Sequence, residues 1–249
     1  MVTPDVMDPK RRVVTLSPHW PVQVQRVGEE RTPVLVVDEA TESVAPLCQV
    51  ACEQARFAPA QGAFYPGVRA PLPPSYVIDV VNRAVPLIRQ HYQVPPGLTL
   101  KPRGFSFSLV TTNEADLVPL QRLPHFDTPE PYYFALLHYL NPGPHGATAL
   151  FRHRSTGFER VSPARSEAYF AAAQPGLDRL MTEPGRYLVQ SNAEYECYHR
   201  IDYRQNRLAI YPGNLLHSIQ VNPDTDIDAN PGSGRLTANI FISFGPPKG

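Results

Sequence analysis

The rhythm of hydrophobic and polar positions changes along the chain. Up to about Ala40 the apolar residues come in short stretches, Arg12 to Leu16, Val22 to Val27 and Pro33 to Asp38, and predict strands. Thr41 is placed to cap a helix that takes in Ala45, Val50, Ala51 and Ala55. From Phe57 to Pro74 there is too much Pro and Gly for helix or strand, which predicts a loop carrying Tyr65 and Arg69. From Ser75 a helical face returns with Val77, Ile78, Val81, Ala84, Val85 and Ile88, and Pro86 is placed to kink it. Val94-Pro95-Pro96-Gly97 closes this layer.

From Leu98 the period shortens to two. Phe105, Phe107 and Leu109 alternate with Ser106 and Ser108, and Tyr132 to Leu140 is one apolar run with a single His, which predicts a buried strand. Ala147 to Phe151, Tyr187 to Ser191, Tyr195 to Ile201, Leu208 to Tyr211, His217 to Val221 and Leu236 to Phe244 continue the series. A helix interrupts it, beginning at Ser162-Pro163 and stopped by Gln174-Pro175-Gly176. Many short strands after two amphipathic helices predict a mainly β (α+β) fold, a jelly-roll or cupin-like barrel backed by helices. At 249 residues, one domain is expected over 1–249. Residues 1–97 would supply N-terminal strands and supporting helices, and 98–249 the barrel, with an insert at about 152–207.

Composition narrows the partners. Acidic and basic residues balance, 23 against 23, which argues against a nucleic-acid backbone or an anionic membrane as partner. The 29 prolines, interleaved with apolar runs, suggest ordered loops and strand edges. Three cysteines make no disulfide framework; Cys48 and Cys52 share a helix face and read as small buried residues, with a metal or redox pair as the alternative. The N-terminal residues lack the apolar core of a secretory signal, and no run is long enough to cross a bilayer, so a cytoplasmic protein is expected.

The sharpest chemical feature is Leu123-Pro124-His125-Phe126-Asp127. Residues two apart on a strand share a face, so His125 and Asp127 can reach one point, which is two thirds of the facial triad that holds non-haem Fe(II). The third ligand should be a distant His. His217, on the return strand of a tight turn after Leu208 to Tyr211, is the best placed; His138, His145, His153 and His199 compete. Downstream, Arg235 opens the last strand and shares a face with Thr237 and Asn239. An inward guanidinium needs a partner, and a dicarboxylate co-substrate would supply one through two hydrogen bonds.

The H-x-D pair, the distal His and the Arg of the last strand together resemble the signature of the Fe(II)/2-oxoglutarate-dependent dioxygenases. Gly146-Ala147-Thr148-Ala149-Leu150-Phe151 resembles the G-G-x-T-x-F strand of the prolyl-hydroxylase-like branch, with Ala147 in place of the second glycine. Tyr211-Pro212-Gly213-Asn214-Leu215-Leu216 is similar to that branch's P-x-x-G-x-L segment, shortened. LPHFDTP with FRHRSTGFE also resembles a little-characterised bacterial family of this superfamily. The motifs span Arg103 to Phe244. The resemblance implies a double-stranded β-helix, iron on His125, Asp127 and His217, and Arg235 on the far carboxylate of 2-oxoglutarate with Thr237 as helper. It further implies O2 as oxidant and hydroxylation of a C–H bond, since halogenating relatives lack the carboxylate that Asp127 supplies; the likeness fits a peptide or protein side chain as substrate, with a free amino acid or another small molecule as the alternative.

Other readings stay open. His125 and Asp127 can be a plain hydrogen-bonded pair, and Arg235 can belong to an ordinary salt bridge. Tyr65 and Arg69 are either loop anchors or substrate contacts. Arg152, in the cluster Arg152-His153-Arg154, is either a solvated strand end or a grip on an anionic substrate. The rival functions are a cupin-type metal enzyme that does not use 2-oxoglutarate, and a non-catalytic jelly roll.

Overall fold

The computed structural model describes residues 8, 11–59 and 65–247. The strands are β1 (Val22–Val27), β2 (Thr32–Val37), β3 (Ala58–Pro59), β4 (Gly67–Pro71), β5 (Thr99–Val110), β6 (Tyr133–Tyr139), β7 (Thr148–His153), β8 (Tyr195–Ile201), β9 (Leu208–Pro212), β10 (His217–Ile219) and β11 (Leu236–Gly245). The longer helices are α1 (Ala45–Glu53), α2 (Pro74–Tyr92) and α3 (Ser166–Leu180). An eight-stranded sheet runs β1-β2-β9-β6-β11-β5-β4-β3 and a three-stranded sheet β10-β7-β8. The strand pairings are antiparallel, so the chain is mainly β with few helices, as its period predicted. Among the described residues no helix is long and apolar enough to cross a membrane.

In the large sheet, β6 is apolar on both faces because both are covered. Phe134 and Leu136 of β6, with Leu236, Ala238, Ile240 and Ile242 of β11, pack on Leu47 of α1 and on Tyr76, Val80, Ala84 and Ile88 of α2. Ala135, Leu137 and Tyr139 turn the other way and meet Leu150 and Ile201 of the small sheet. A strand sandwiched like this reads as a continuous apolar run rather than an alternation. His138 faces the helices, where the Tyr76 hydroxyl and Asn206 Oδ1 lie 2.9 and 3.1 Å from its ring nitrogens.

Several local expectations need correction. Thr41 does not cap α1: Asn206 Oδ1 accepts from both its N–H and its hydroxyl, and the helix starts at Ala45-Pro46 without a side-chain cap. The Pro-rich segment from Phe57 contains β3, the edge strand of the large sheet, and β4 beside it; Pro59 lies on the edge strand and Pro71 ends β4, where a missing N–H costs little. Arg12 to Leu16 makes a single bridge, Leu16 to Thr41, rather than a strand. The helix α3 runs past Gln174-Pro175-Gly176 to Leu180; Pro175 lies on its exposed side, where water can take the carbonyl that proline leaves unbonded. Tyr187 to Ser191 is no strand, because Tyr187 gives its N–H to Glu114 Oε1 and its hydroxyl to Thr112 O. Cys48 is half-buried and Cys52 exposed, both free, so the pair is not a buried one. Most of the N-terminal segment read as lacking a signal lies outside the described residues.

Candidate metal centre

His125 and Asp127 lie on an extended segment that is not part of a strand, yet its backbone is pinned at both residues. His125 and His217 exchange N–H···O bonds of 2.9 and 2.8 Å, and the Asp127 N–H donates to Gly213 O at 2.7 Å. This keeps the two side chains on one side, as the spacing predicted. The turn can approach because residue 213 is glycine: a Cβ there would stand 2.9 Å from Asp127 Oδ2. His217 starts β10, opposite Leu150 of β7.

The ligand atoms of His125, Asp127 and His217 all lie within 4.8 Å of one another, a group able to hold a metal ion. His217 Nδ1 is 2.8 Å from Leu215 O, so it carries the proton and leaves Nε2 free as a ligand. Burial, with smaller contributions from His217 and Arg69, pushes His125 well below the usual imidazole range. Burial raises Asp127, opposed by His217 and Arg69. Both side chains are solvent-accessible and line the cleft beside them. Two imidazoles and a carboxylate form a donor set that a divalent cation satisfies.

Behind the triad lies a compartment of about 70 Å³ bordered by Tyr65, Arg69, Arg235, Thr237 and Asn239 together with the three candidate ligands. Arg235 is 1% exposed, donates Nε to Gly146 O at 2.8 Å and leaves Nη2 without a partner. Tyr139 and Tyr203 place their ring centroids 5.7 and 5.5 Å from its guanidinium carbon. Asp226 shares these surroundings but is occupied, accepting from Asn222 N at 2.7 Å and Gly146 N at 3.0 Å with His145 Nδ1 at 2.9 Å. Gly146 is required, since a Cβ would overlap the Gln220 carbonyl. Tyr65 Oη, Arg69 Nε and Asn239 Oδ1 are likewise buried without hydrogen-bond partners. These unmet groups fit a polar, anionic occupant next to a metal.

In front of the triad a cleft of about 690 Å³ opens to solvent. One wall is α3, which brings Tyr169, Phe170, Ala173 and Leu177; Tyr187 and Tyr195 add to it. Sequence reasoning left the role of the segment at about 152–207 open. The signal was there in the apolar stripe of α3, but a stripe does not say whether it faces a core or a cavity. Of the residues singled out from sequence, the structure brings His125, Asp127, His217, Arg235, Thr237, Tyr65 and Arg69 together. It does not bring Arg152, which is tied to Glu29, Glu159 and Glu196 and borders neither cavity. The competing histidines are elsewhere: His145 is on Asp226, His153 is buried near Thr156, and His199 meets Gln25.

A family profile described as "Family of unknown function (DUF6445)" matches residues 18–242. No curated protein matches the sequence. Among solved structures, HygX from Streptomyces hygroscopicus with nickel and 2-oxoglutarate bound is 13% identical, with a TM-score of 0.45 and 85% of this chain and 83% of that chain covered. HygX with nickel, 2-oxoglutarate and hygromycin B bound is 11% identical, with a TM-score of 0.45 and coverages of 86% and 83%. AviO1 from Streptomyces viridochromogenes Tue57 is 14% identical, with a TM-score of 0.40 and coverages of 81% and 79%. At these values the likeness is a partial one and transfers no residue role.

Proposed function

The chain belongs to the DUF6445 family, and we propose that it is an Fe(II)- and 2-oxoglutarate-dependent oxygenase that hydroxylates an unactivated C–H bond. The observation that carries this reading is a pairing. Two imidazoles and a carboxylate converge within 4.8 Å, and the compartment behind them ends on a buried guanidinium with a free Nη2. A cupin-type enzyme that does not use 2-oxoglutarate has no need of such an arginine. The finer fold assignment, a double-stranded β-helix of the prolyl-hydroxylase-like branch, belongs to the same proposal.

In this reading His125, Asp127 and His217 hold the iron, and its bound form supplies O2 activation coupled to oxidative decarboxylation of 2-oxoglutarate. The protein's own residues then have defined tasks. The Leu215 carbonyl fixes the His217 tautomer. Arg235, held by Gly146 and flanked by two tyrosines, receives a distal carboxylate through charge-assisted hydrogen bonds. Thr237, whose hydroxyl makes a long 3.4 Å contact to Ser108 O, can turn toward the same carboxylate. The aromatic wall from α3 limits water near the reacting carbon.

Anaerobic titration tests the proposal. Addition of Fe(II) and then 2-oxoglutarate should produce the visible metal-to-ligand absorption band of a chelated keto acid. His217→Ala should abolish it. Absence of the band in the parent protein, at saturating concentrations of both, overturns the proposal in favour of the cupin-type alternative.

A further inference from the structure

The front cleft differs from the rear compartment in what lines it. Its walls are mostly aromatic and aliphatic, and Phe170 at its edge is 58% exposed, an apolar ring held at a mouth rather than in a core. Charged side chains in the lining are few: Asp127, Arg69 and Arg103. Arg103 is already engaged, donating Nε to Ser243 Oγ at 2.8 Å and meeting Glu130 at 3.1 Å. Asp127 belongs to the candidate metal group. Gln121 and Gln174 are also spent, on the Tyr65 carbonyl and on Asp178.

Arg69 is the exception. It borders both the cleft and the rear compartment. Its guanidinium carbon lies 4.8 Å from the Tyr65 ring centroid, and its Nε is buried with no hydrogen-bond partner. Among the described residues no carboxylate lies within ion-pair distance of it. Its strand explains the placement: β4 is paired with β5, Arg69 opposite Ser108, so the side chain emerges beside the residues that pair with Thr237. A half-buried cation with no ion pair, which meets the Asp127 carboxylate only beyond ion-pair distance, is unfavourable at the junction of an apolar cleft and a metal group until an anion arrives.

We propose that the front cleft binds a small monocarboxylate with an aromatic or bulky aliphatic body, its carboxylate on Arg69 and its body against α3. This rests on the oxygenase reading only for what happens next: an anchored carboxylate would direct the carbons nearest it toward the candidate metal ligands. The binding claim itself needs neither metal nor turnover. It also assigns the inserted α3 a task, since Tyr169, Phe170 and Leu177 form the apolar surface the body would rest on.

The test uses 3-(2-naphthyl)propanoate and its neutral amide, whose naphthalene fluorescence reports burial, with metal-free full-length protein so that neither can ligate a metal. The carboxylate should bind at least about tenfold more tightly than the amide. Arg69→Gln should erase that difference, Arg69→Lys should restore part of it, and Leu177→Glu should weaken both probes. Arg235→Gln should leave the difference intact. Equal binding of acid and amide, no binding of either, or loss of discrimination in Arg235→Gln instead of Arg69→Gln overturns the proposal. The two readings fail separately. Acid-over-amide preference without the Fe(II)/2-oxoglutarate band sinks the oxygenase and keeps the carboxylate site; the band without the preference does the reverse.

Discussion

Arg152 and Arg235 sit about the same small sheet, one just beyond its β7 core positions and one bonded to the segment that leads into β7. Arg152 gives Nε and Nη2 to Glu159 at 3.0 and 2.6 Å, and its Nη1 meets Glu196 at 3.1 Å and Glu29 at 3.0 Å. Glu159 is fully buried, and it also accepts the N–H groups of Glu29 and Glu30. Every strong group in that cluster has a partner, and its work is to tie the β1–β2 turn to the small sheet. Arg235 is more deeply buried yet has one carbonyl, two tyrosine faces and an idle Nη2. Proteins rarely leave a buried cation half-satisfied for structural reasons. A saturated charge cluster therefore marks architecture, and an unsaturated one marks a place where something binds.

The largest effect should come from breaking the saturated cluster. Glu159→Ala strands Nε and Nη2 of Arg152 and two backbone donors, and should cost about 3–5 kcal/mol of stability by urea unfolding. The folded fraction should still bind metal and 2-oxoglutarate as the parent does. If affinity falls along with stability, the two regions are not separable.

The same contrast holds for histidines, and pH reads it. His138 is buried against Tyr76 and Asn206, and burial pushes its pKa down to about 4 from an unfolded value near 6.5. Between those values the unfolded chain binds the proton and the folded one does not. This contribution is therefore fully present above about pH 6.5 and is lost as pH falls toward 4, by up to about 3 kcal/mol. Urea midpoints between pH 7 and 4.5 should drop more steeply in the parent than in His138→Gln. Equal slopes would mean that His138 stays neutral in both states or charged in both.

How much of this was legible beforehand depended on the range of the interaction. His125 and Asp127 are two apart, and one pinned extended segment suffices to align them; the facing His217 was readable from a strand-turn-strand pattern around Gly213. The alternation of β11 likewise separated Thr237 and Asn239 from Leu236 and Ala238. What failed depended on distant partners. Arg152 looked available because Glu29 and Glu196 are far from it in sequence. Thr41 looked like a cap because Asn206, which takes both its donors, is equally remote. Strands β3 and β4 hid in a Pro-rich segment because their prolines fall on the edge strand or at a strand end, positions that sequence does not show and that make proline harmless there.

A smaller effect on stability, with a clear one on binding, is expected at Arg235. Arg235→Ala removes a costly buried charge together with one hydrogen bond, so urea stability should move by no more than about 1 kcal/mol. Fe(II) binding should persist. 2-Oxoglutarate affinity, read from the anaerobic absorption band, should fall by about 1.5–3 kcal/mol for each charge-assisted bond lost. Arg235→Lys should recover part of it, since a point charge replaces a two-pronged donor. If Arg235→Ala is instead as destabilising as Glu159→Ala, Arg235 belongs with the saturated cluster and the binding reading is lost.

Thr237 should show the smallest effect, and it refines the boundary between the two kinds of site. Its hydroxyl is buried and reaches Ser108 O only at 3.4 Å, a long bond that contributes little to folding. Thr237→Val keeps the shape and removes only the hydroxyl. If that hydroxyl assists Arg235, 2-oxoglutarate affinity should fall by about 0.5–1.5 kcal/mol, the worth of one neutral hydrogen bond, while urea stability changes by less than about 0.5 kcal/mol. The double variant with Arg235→Ala then decides the point. Two groups on the same carboxylate should be coupled, so the combined loss should differ from the sum of the single losses by at least about 0.5 kcal/mol. Strict additivity, or no loss in Thr237→Val, would leave Arg235 as the sole anchor and return Thr237 to the strand, as a side chain that fills space between β5 and β11.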